Sequence, residues 1–536
     1  MNRRSFLKYT ACATAGGATA LLSPGRLSAA EGTPAKKPNI VLIMADDMGF
    51  SDIGCYGGEV RTPHIDALAA DGLRFTQFYN ASRCCPTRAS LMTGLYQHQA
   101  GVGHMTGNLG KPAYQGYLND RCVTIAEALK ATGYTTLMSG KWHLGARQGQ
   151  WPADRGFDDS FVLLPGGSNY WKPGPMARGH KRWNLKDDET FKDKEFYMTD
   201  AFSNYAVKFI DRHGRADKPF FLYLSYTAPH FPMHARDQDM ARYKGKYDAG
   251  WDSLRSERYE RMVKMGIIDK DWPLTPRNSK VQAWKDVDAD KKKDQLLRME
   301  IYAAMIDRMD HGIGRVIDKL KKTGALDNTL VLFLSDNGGN WEGGPWGWDW
   351  GKGKPGRGSN FWCTYGQSWG NLSNTPFRLY KHWVHEGGIA TPLIAHWPKV
   401  VKQKGKLTDQ TGHIIDIMAT CCDVAGAKYP EEFECKKITP LEGKSLLPIL
   451  QGKKRPGHEA IFWEHTGNKA VRAGKWKLVS RDGGVWELYD LEKDRTELTD
   501  LAGKNPAKVR ELKAKYDAWA KRCDVLPWPV KKKKRK

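Results

Sequence analysis

Apolar residues along this chain come in two kinds of run. Asn39-Ile40-Val41-Leu42-Ile43-Met44-Ala45, Phe220-Phe221-Leu222-Tyr223-Leu224-Ser225-Tyr226 and Thr329 to Leu334 are almost unbroken. Runs of that length without alternation predict strands covered on both faces, as in a parallel sheet between helices. Leu73 to Tyr79, Tyr134 to Met138 and Thr391 to Trp397 read as further strands. Between them apolar positions recur at helical spacing: Ile65, Leu68 and Ala69 within 63–71, then 124–132, then Phe202, Tyr205, Ala206 and Phe209 within 200–211. A longer stripe runs through Leu297 to Lys322 on Ile301, Ala304, Met305, Met309, Ile313, Val316, Ile317 and Leu320. This pattern predicts an α/β fold.

From about Ala460 the character changes. Short alternating runs at 470–472, 476–479 and 486–490, then a helix over Pro506 to Arg522, predict antiparallel strands packed by one helix. Two stretches resist assignment. The segment from about Asp237 to Lys293 is charged and weakly periodic, and reads as a surface insertion. Between Trp341 and Trp369 a Gly-rich stretch carries tryptophans at 341, 346, 348, 350, 362 and 369, with too little periodicity for a helix. It reads either as an aromatic rim on which rings could stack or as an apolar cluster pinning a long loop.

Polar residues with chemical potential follow the strands. The first run ends in Asp46-Asp47, and two carboxylates after a buried strand call for a cation between them unless the turn is solvated. Later strands deliver Lys141 and His143, then Pro229-His230, then Asp336-Asn337. If extended, the chain places Lys141 and His143 on one side. In an open parallel sheet, ligands bind beyond the carboxyl ends of the strands, so these groups should converge. Cys84-Cys85-Pro86-Thr87-Arg88-Ala89-Ser90 can open a helix, since Pro is tolerated in a first turn, and Gly94 can close it. Cys84 then sits at a helix N-terminus, which favours an anion.

The 536 residues suggest one large domain and a smaller one. The formal charge of +24 invites a polyanionic partner, but residues 1 to 30 hold four basic and no acidic side chains and Lys531 to Lys536 six more, leaving +14 spread widely. No basic helix organises it, which argues against nucleic acid and fits an anionic substrate. Arg3-Arg4-Ser5-Phe6-Leu7-Lys8, an apolar run to about Leu22 and Ser28-Ala29-Ala30 resemble a twin-arginine export signal. No other segment is long and apolar enough to span a bilayer. Export would place the mature protein in the periplasm or outside the cell, where disulfides are permitted among Cys55, Cys85, Cys122, Cys363, Cys421, Cys422, Cys435 and Cys523.

Cys84-x-Pro86-x-Arg88 followed by a small-residue helix and Thr93-Gly94 resembles the type I sulfatase signature. Ala45 to Gly49, the Gly-Lys-Trp-His-Leu-Gly run at 140–145, Pro229-His230, Asp336-Asn337 and Lys381-x4-Glu386-Gly387-Gly388 resemble further elements of that family, with His385 where tyrosine is more usual. The resemblance implies an alkaline-phosphatase-like α/β fold: a mixed, mostly parallel sheet between helices, with a smaller C-terminal subdomain of antiparallel sheet plus helix. Together these readings divide the chain into a signal over 1–30, a catalytic domain over 38–455, the subdomain over 456–525 and a basic tail over 526–536.

The family implies formylglycine, made from Cys84 by a maturation enzyme, as the hydrated nucleophile. It also implies a metal site of Asp46, Asp47, Cys84, Asp336 and Asn337; oxygen donors favour Ca2+, with Mg2+ as runner-up. Arg88 would hold the aldehyde hydrate, Asp336 help remove its proton, and Lys141 and Lys381 neutralise sulfate oxygens. His230 would protonate the leaving alcohol and His143 take the proton that expels sulfate. His234 either touches substrate or caps its loop. The implied partners are a sulfate ester, aryl or carbohydrate and extending to sulfated polysaccharide, plus the maturation enzyme and export machinery. A phosphonate or phosphate ester hydrolase on the same scaffold, or a non-catalytic sulfated-glycan binder, is the alternative.

Overall fold

A computed structural model of the chain describes residues 36–191, 195–353, 355–356 and 360–531; the twin-arginine segment and the last five residues of the basic tail lie outside it. The first apolar run forms strand β1 (Asn39–Asp46), buried from Ile40 onward. Its residues alternate between two cores. Val41, Ile43 and Ala45 face one, and Ile40, Leu42 and Met44 the other. Both faces are therefore covered, and an unbroken apolar run is what such a strand requires.

The other early strands are β2 (Leu73–Tyr79), β3 (Thr135–Lys141), β4 (Asp159–Leu163), β5 (Phe220–Pro229), β6 (Thr329–Ser335) and β7 (Ala390–His396). Across the sheet they run β2-β7-β6-β1-β5-β3-β4, with short strands beyond each end. From β6 to β4 every pairing is parallel. β7 enters antiparallel between β2 and β6. The carboxyl ends of β1, β2, β3, β5 and β6 thus meet at one edge, together with the amino end of β7.

Helices cover the faces. α1 (Pro63–Ala70) begins on proline, and α2 (Cys84–Thr93) stops at Gly94 in the left-handed conformation, φ 68°. α3 (Met198–His213) packs beside α4 (Ala289–Lys322), which is capped by the Asp288 side chain. The C-terminal chain forms a four-stranded antiparallel sheet, Ile461–His465, Asn468–Ala473, Trp476–Ser480 and Trp486–Asp490. Helix α5 (Pro506–Arg522) places Leu512, Tyr516 and Trp519 with Val471, Leu478 and Leu488 in the same core as Leu42.

Two expectations need correcting. The 237–293 segment is no loose insertion: it contains a helix, Gly250–Lys264, whose Arg258 is fully buried between Asp52 (3.0 Å) and Glu59 (2.7 Å). Two of its charges, Arg255 and Arg258, turn inward, and Arg258 braces the loop after β1, which polar periodicity alone cannot reveal. The tryptophan-rich stretch does include a helix, Gly366–Ser373, and Trp369 stacks edgewise on Trp251 in the core, whereas Trp350 is 67 % exposed. All nine cysteines among the described residues are free thiols, eight of them buried.

Candidate active site

Each strand end at the shared edge delivers a polar group. Asp46 is the last residue of β1 and fully buried. Asp47 turns back with φ 67°, a conformation aspartate tolerates, and its N–H donates to Asp336 Oδ1 (3.3 Å) just past β6. Lys141 closes β3, His230 follows β5, and Lys381 lies on the loop that leads into β7. Cys84 opens α2 after β2.

These residues, from Asp46 to Lys381, form one buried charge cluster. Lys141 Nζ lies 2.5 Å from Asp46 Oδ2, and Lys381 Nζ 2.7 Å from Asp47 Oδ2. Arg88 reaches Asp336 Oδ2 through Nη2 (2.7 Å) and Nε (3.1 Å), and through Nη1 the Lys141 carbonyl and Ser225 Oγ. Asp46, Asp47 and Asp336 are thus balanced one for one by Lys141, Lys381 and Arg88. Burial, and then the Asp336 charge, nevertheless push the Asp46 carboxyl well above its ordinary range.

The residues present fit a bound cation. Asp46 Oδ1 and Asn337 Oδ1 are buried without a hydrogen-bond partner. Asn337 Nδ2 donates to Asp47 Oδ1 (2.8 Å). Together with Asp47 and Asp336 the donors are oxygens alone, which suits a hard cation. Ligand atoms of Asp46, Asp47 and His230 also fall within 4.8 Å of one another, so an imidazole borders this site as well.

Cys84, Cys85 and His143 form an adjoining group whose ligand atoms lie within 4.8 Å of each other. A hydrogen bond from Cys85, then Lys141 and His143, hold the Cys84 thiol well below its usual range, while burial raises Cys85. His143 is not reached by extended backbone, as the alternate spacing predicted. Its φ is 56°, and the turn brings its ring against Gly166, where a Cβ would stand 2.5 Å from Cε1. A side chain at Gly166 would have to displace the His143 ring.

His230 Nδ1 lies 2.5 Å from the Phe231 carbonyl, which can only accept, so Nδ1 carries the proton and Nε2 faces Asp47 Oδ2 at 3.6 Å. Burial, then Lys381 and Lys141, hold its pKa well below the usual value. His234 is spent on the backbone: Nε2 donates to Phe361 O (2.9 Å) and Nδ1 accepts from Tyr170 N–H (3.5 Å). Of the two readings open for it, loop capping is the one its contacts support. His385 lies beside Glu487 (3.5 Å).

Sequence reasoning missed a layer around these groups. Asn340 Nδ2 donates to Asp47 Oδ2 (3.2 Å), and Glu342 bridges Lys381 Nζ (3.3 Å) and Arg83 Nη2 (2.7 Å). Both follow Asp336-Asn337 closely, and that proximity was the available signal.

Comparison with known proteins agrees with this geometry. Residues 38–427 match the family described as Sulfatase, and residues 377–520 match N-sulphoglucosamine sulphohydrolase, C-terminal. An uncharacterized sulfatase of Schizosaccharomyces pombe is 36% identical over 516 residues, covering 89% of this chain and 92% of the relative. An arylsulfatase of Klebsiella aerogenes is 35% identical over 437 residues, covering 78% and 93%. The crystal structure of Ps i-CgsB in complex with k-i-k-neocarrahexaose superposes with a TM-score of 0.66 at 27% identity, covering 90% of this chain and 93% of that one. The chain belongs to the sulfatase family, as an arylsulfatase-like sulfuric ester hydrolase.

Proposed function

We propose that the protein is an exported sulfatase that cleaves sulfate esters of sulfated carbohydrates or aryl alcohols, with a formylglycine made from Cys84 as nucleophile and calcium on Asp46, Asp47, Asp336 and Asn337. The observation that carries this reading is the gathering of three carboxylates, three cations and two neutral histidines around the Cys84 thiol. Export rests on the twin-arginine segment alone.

Calcium would polarise the sulfate oxygens, and the hydrated aldehyde would supply an oxygen nucleophile with a second hydroxyl. The chain's own residues do the rest. Lys141 and Lys381 Nζ, with their carboxylates engaged elsewhere, donate to the sulfate oxygens as charge grows there. Arg88 holds Asp336 and the end of β3 in place, and Asp336 receives the nucleophile's proton. His230 Nε2, once protonated beside the anionic ester, gives that proton to the leaving oxygen; Nδ1, tied to Phe231, keeps the ring oriented. His143, held neutral mainly by burial, takes the proton whose loss expels sulfate.

The test is turnover of matched aryl sulfate and aryl phosphate esters by protein converted at residue 84, before and after chelation and calcium return. Faster sulfate turnover that is lost on chelation and restored by calcium is expected. Faster phosphate turnover, or indifference to chelation, would contradict the reading.

A further inference from the structure

A second group of side chains borders the nucleophile position, and the chemistry above leaves it unused. Arg83 immediately precedes Cys84, and His382 immediately follows Lys381. His104 lies on the chain after α2, and His465 ends the first strand of the C-terminal sheet. The rings of His104 and His465 stack with centroids 6.0 Å apart, and His382 meets His465 edge-on at 5.2 Å. Trp341 lies 6.2 Å from His382, and Trp528 lies 4.7 Å from His104. Four separate segments and two indoles therefore converge beside Cys84.

The contacts are not those of a satisfied core. His465 is 1 % exposed, yet its Nδ1 has no hydrogen-bond partner, and neither do His104 Nδ1 and Arg83 Nε. Burial, and then His382, Arg83 and His104, hold the His465 ring neutral; burial and Arg83 bring His382 to about 4. Glu342, Asp482 and Glu464 oppose these effects only in part. Arg83, whose Nη2 is paired with Glu342 (2.7 Å), thus sits among imidazoles kept uncharged, two of which, His104 and His465, leave Nδ1 unbonded. Arg83, His104, His382 and Trp341 are half-buried and Trp528 is 36 % exposed, so a ligand can reach them.

We propose that Arg83, His104, His382 and His465 form a subsite for a second oxyanion substituent, sulfate or carboxylate, on the carbohydrate whose ester is cleaved at Cys84, with Trp341 and Trp528 flanking the sugar. An arriving oxyanion meets a guanidinium with an unused Nε–H and imidazoles that can donate N–H. Its charge also offsets the mutual repulsion that keeps those rings neutral, so cluster and ligand stabilise each other. The subsite rests on the sulfatase reading, since it selects among sulfate esters.

The test is calorimetric binding to calcium-loaded Cys84→Ala protein, which cannot turn over. The ligands are a monosulfated disaccharide, the same disaccharide with a second sulfate, and its counterpart bearing a uronate carboxylate. At least one dianion should bind about tenfold more tightly than the monosulfate, the size of one lost charge-assisted hydrogen bond. Which of them does so identifies the substituent. Arg83→Gln and His465→Phe should each remove most of that advantage, and so should His104→Ala, the half-exposed change least disruptive to packing. Equal affinities in the parent, or an advantage that survives all three changes, would overturn the subsite. Aryl sulfate turnover by converted wild-type protein separates the two claims: its absence counts against the sulfatase reading, whereas turnover without preference for a second charge counts against the subsite alone.

Discussion

Lys381 Nζ lies 2.7 Å from Asp47 Oδ2, joining the loop before β7 to the end of β1 across 334 residues. The antiparallel insertion of β7 makes this possible, because it brings an amino end to the edge where the parallel strands present their carboxyl ends. Lys141 and Asp46 make the equivalent pair from two parallel strands.

In the proposed function both amines donate to sulfate oxygens. Lys141→Ala and Lys381→Ala should each lower kcat by about 10²- to 10³-fold, the usual result of removing one donor from a developing oxyanion. Steady-state kinetics on an aryl sulfate, with circular dichroism to verify folding, checks this. A loss confined to KM would place the amines in ground-state binding only.

His230 should matter in proportion to how badly the leaving group needs a proton. His230→Ala is expected to lower kcat/KM by about 10²- to 10⁴-fold for a sugar sulfate. The effect should shrink markedly for an activated nitroaryl sulfate, whose leaving group departs as an anion. A plot of log kcat/KM against leaving-group pKa should steepen in the variant. Parallel lines for variant and wild type would remove His230 from the acid role.

Gly166 makes room for His143. A Cβ there would lie 2.5 Å from the imidazole Cε1, so the ring must shift to admit it. Gly166→Ala should cost about 10²-fold in turnover, as expected for an ångström-scale misplacement of a catalytic group. The melting temperature should change little. Unchanged kinetics would mean that the ring moves freely.

Glu386 ties the catalytic sheet to the C-terminal one. Its carboxylate accepts from Lys477 Nζ (2.9 Å), Arg495 Nε (2.8 Å) and Tyr79 (3.0 Å), all buried. Against the cost of burial, Lys477 and Arg495 hold its pKa at about 2. A carboxyl depressed on folding stabilises fully above its unfolded pKa, and that contribution fades as pH falls through the folded value. It should therefore disappear between about pH 4.5 and pH 2. Glu386→Gln leaves Lys477 and Arg495 short of a counter-charge and should cost roughly 3–5 kcal/mol at neutral pH. Denaturant melts of both proteins across that pH range should converge at the acid end; a constant difference would contradict this assignment.

The sheet and most of the charged cluster were legible in the sequence for one reason. Buried parallel strands must be apolar throughout, so the polar residue that ends each run marks the edge where ligands collect. Asp46, Lys141, His230 and Asp336 each follow such a run. Other residues carried no such mark. Arg258 sits in a charged, weakly periodic segment, and only tertiary packing turns it inward toward Asp52 and Glu59. Asn340 and Glu342 lie on a loop whose path depends on Tyr365 and Thr364, which bond Asn340 N–H and the Glu342 carbonyl. The turn at His143 required a positive φ that no apolar pattern encodes. The strand Ile461–His465 is too short for periodicity to declare, yet it carries His465 to the rim of the site.

In the proposed function, chemistry at residue 84 should begin only after Cys84 has been converted to formylglycine. Peptide mass across residue 84, measured on a series of preparations with different degrees of maturation, should give a formylglycine fraction to which aryl sulfate turnover is strictly proportional, with Cys84→Ala inactive. Full turnover by protein that carries an unmodified thiol at residue 84 would contradict it.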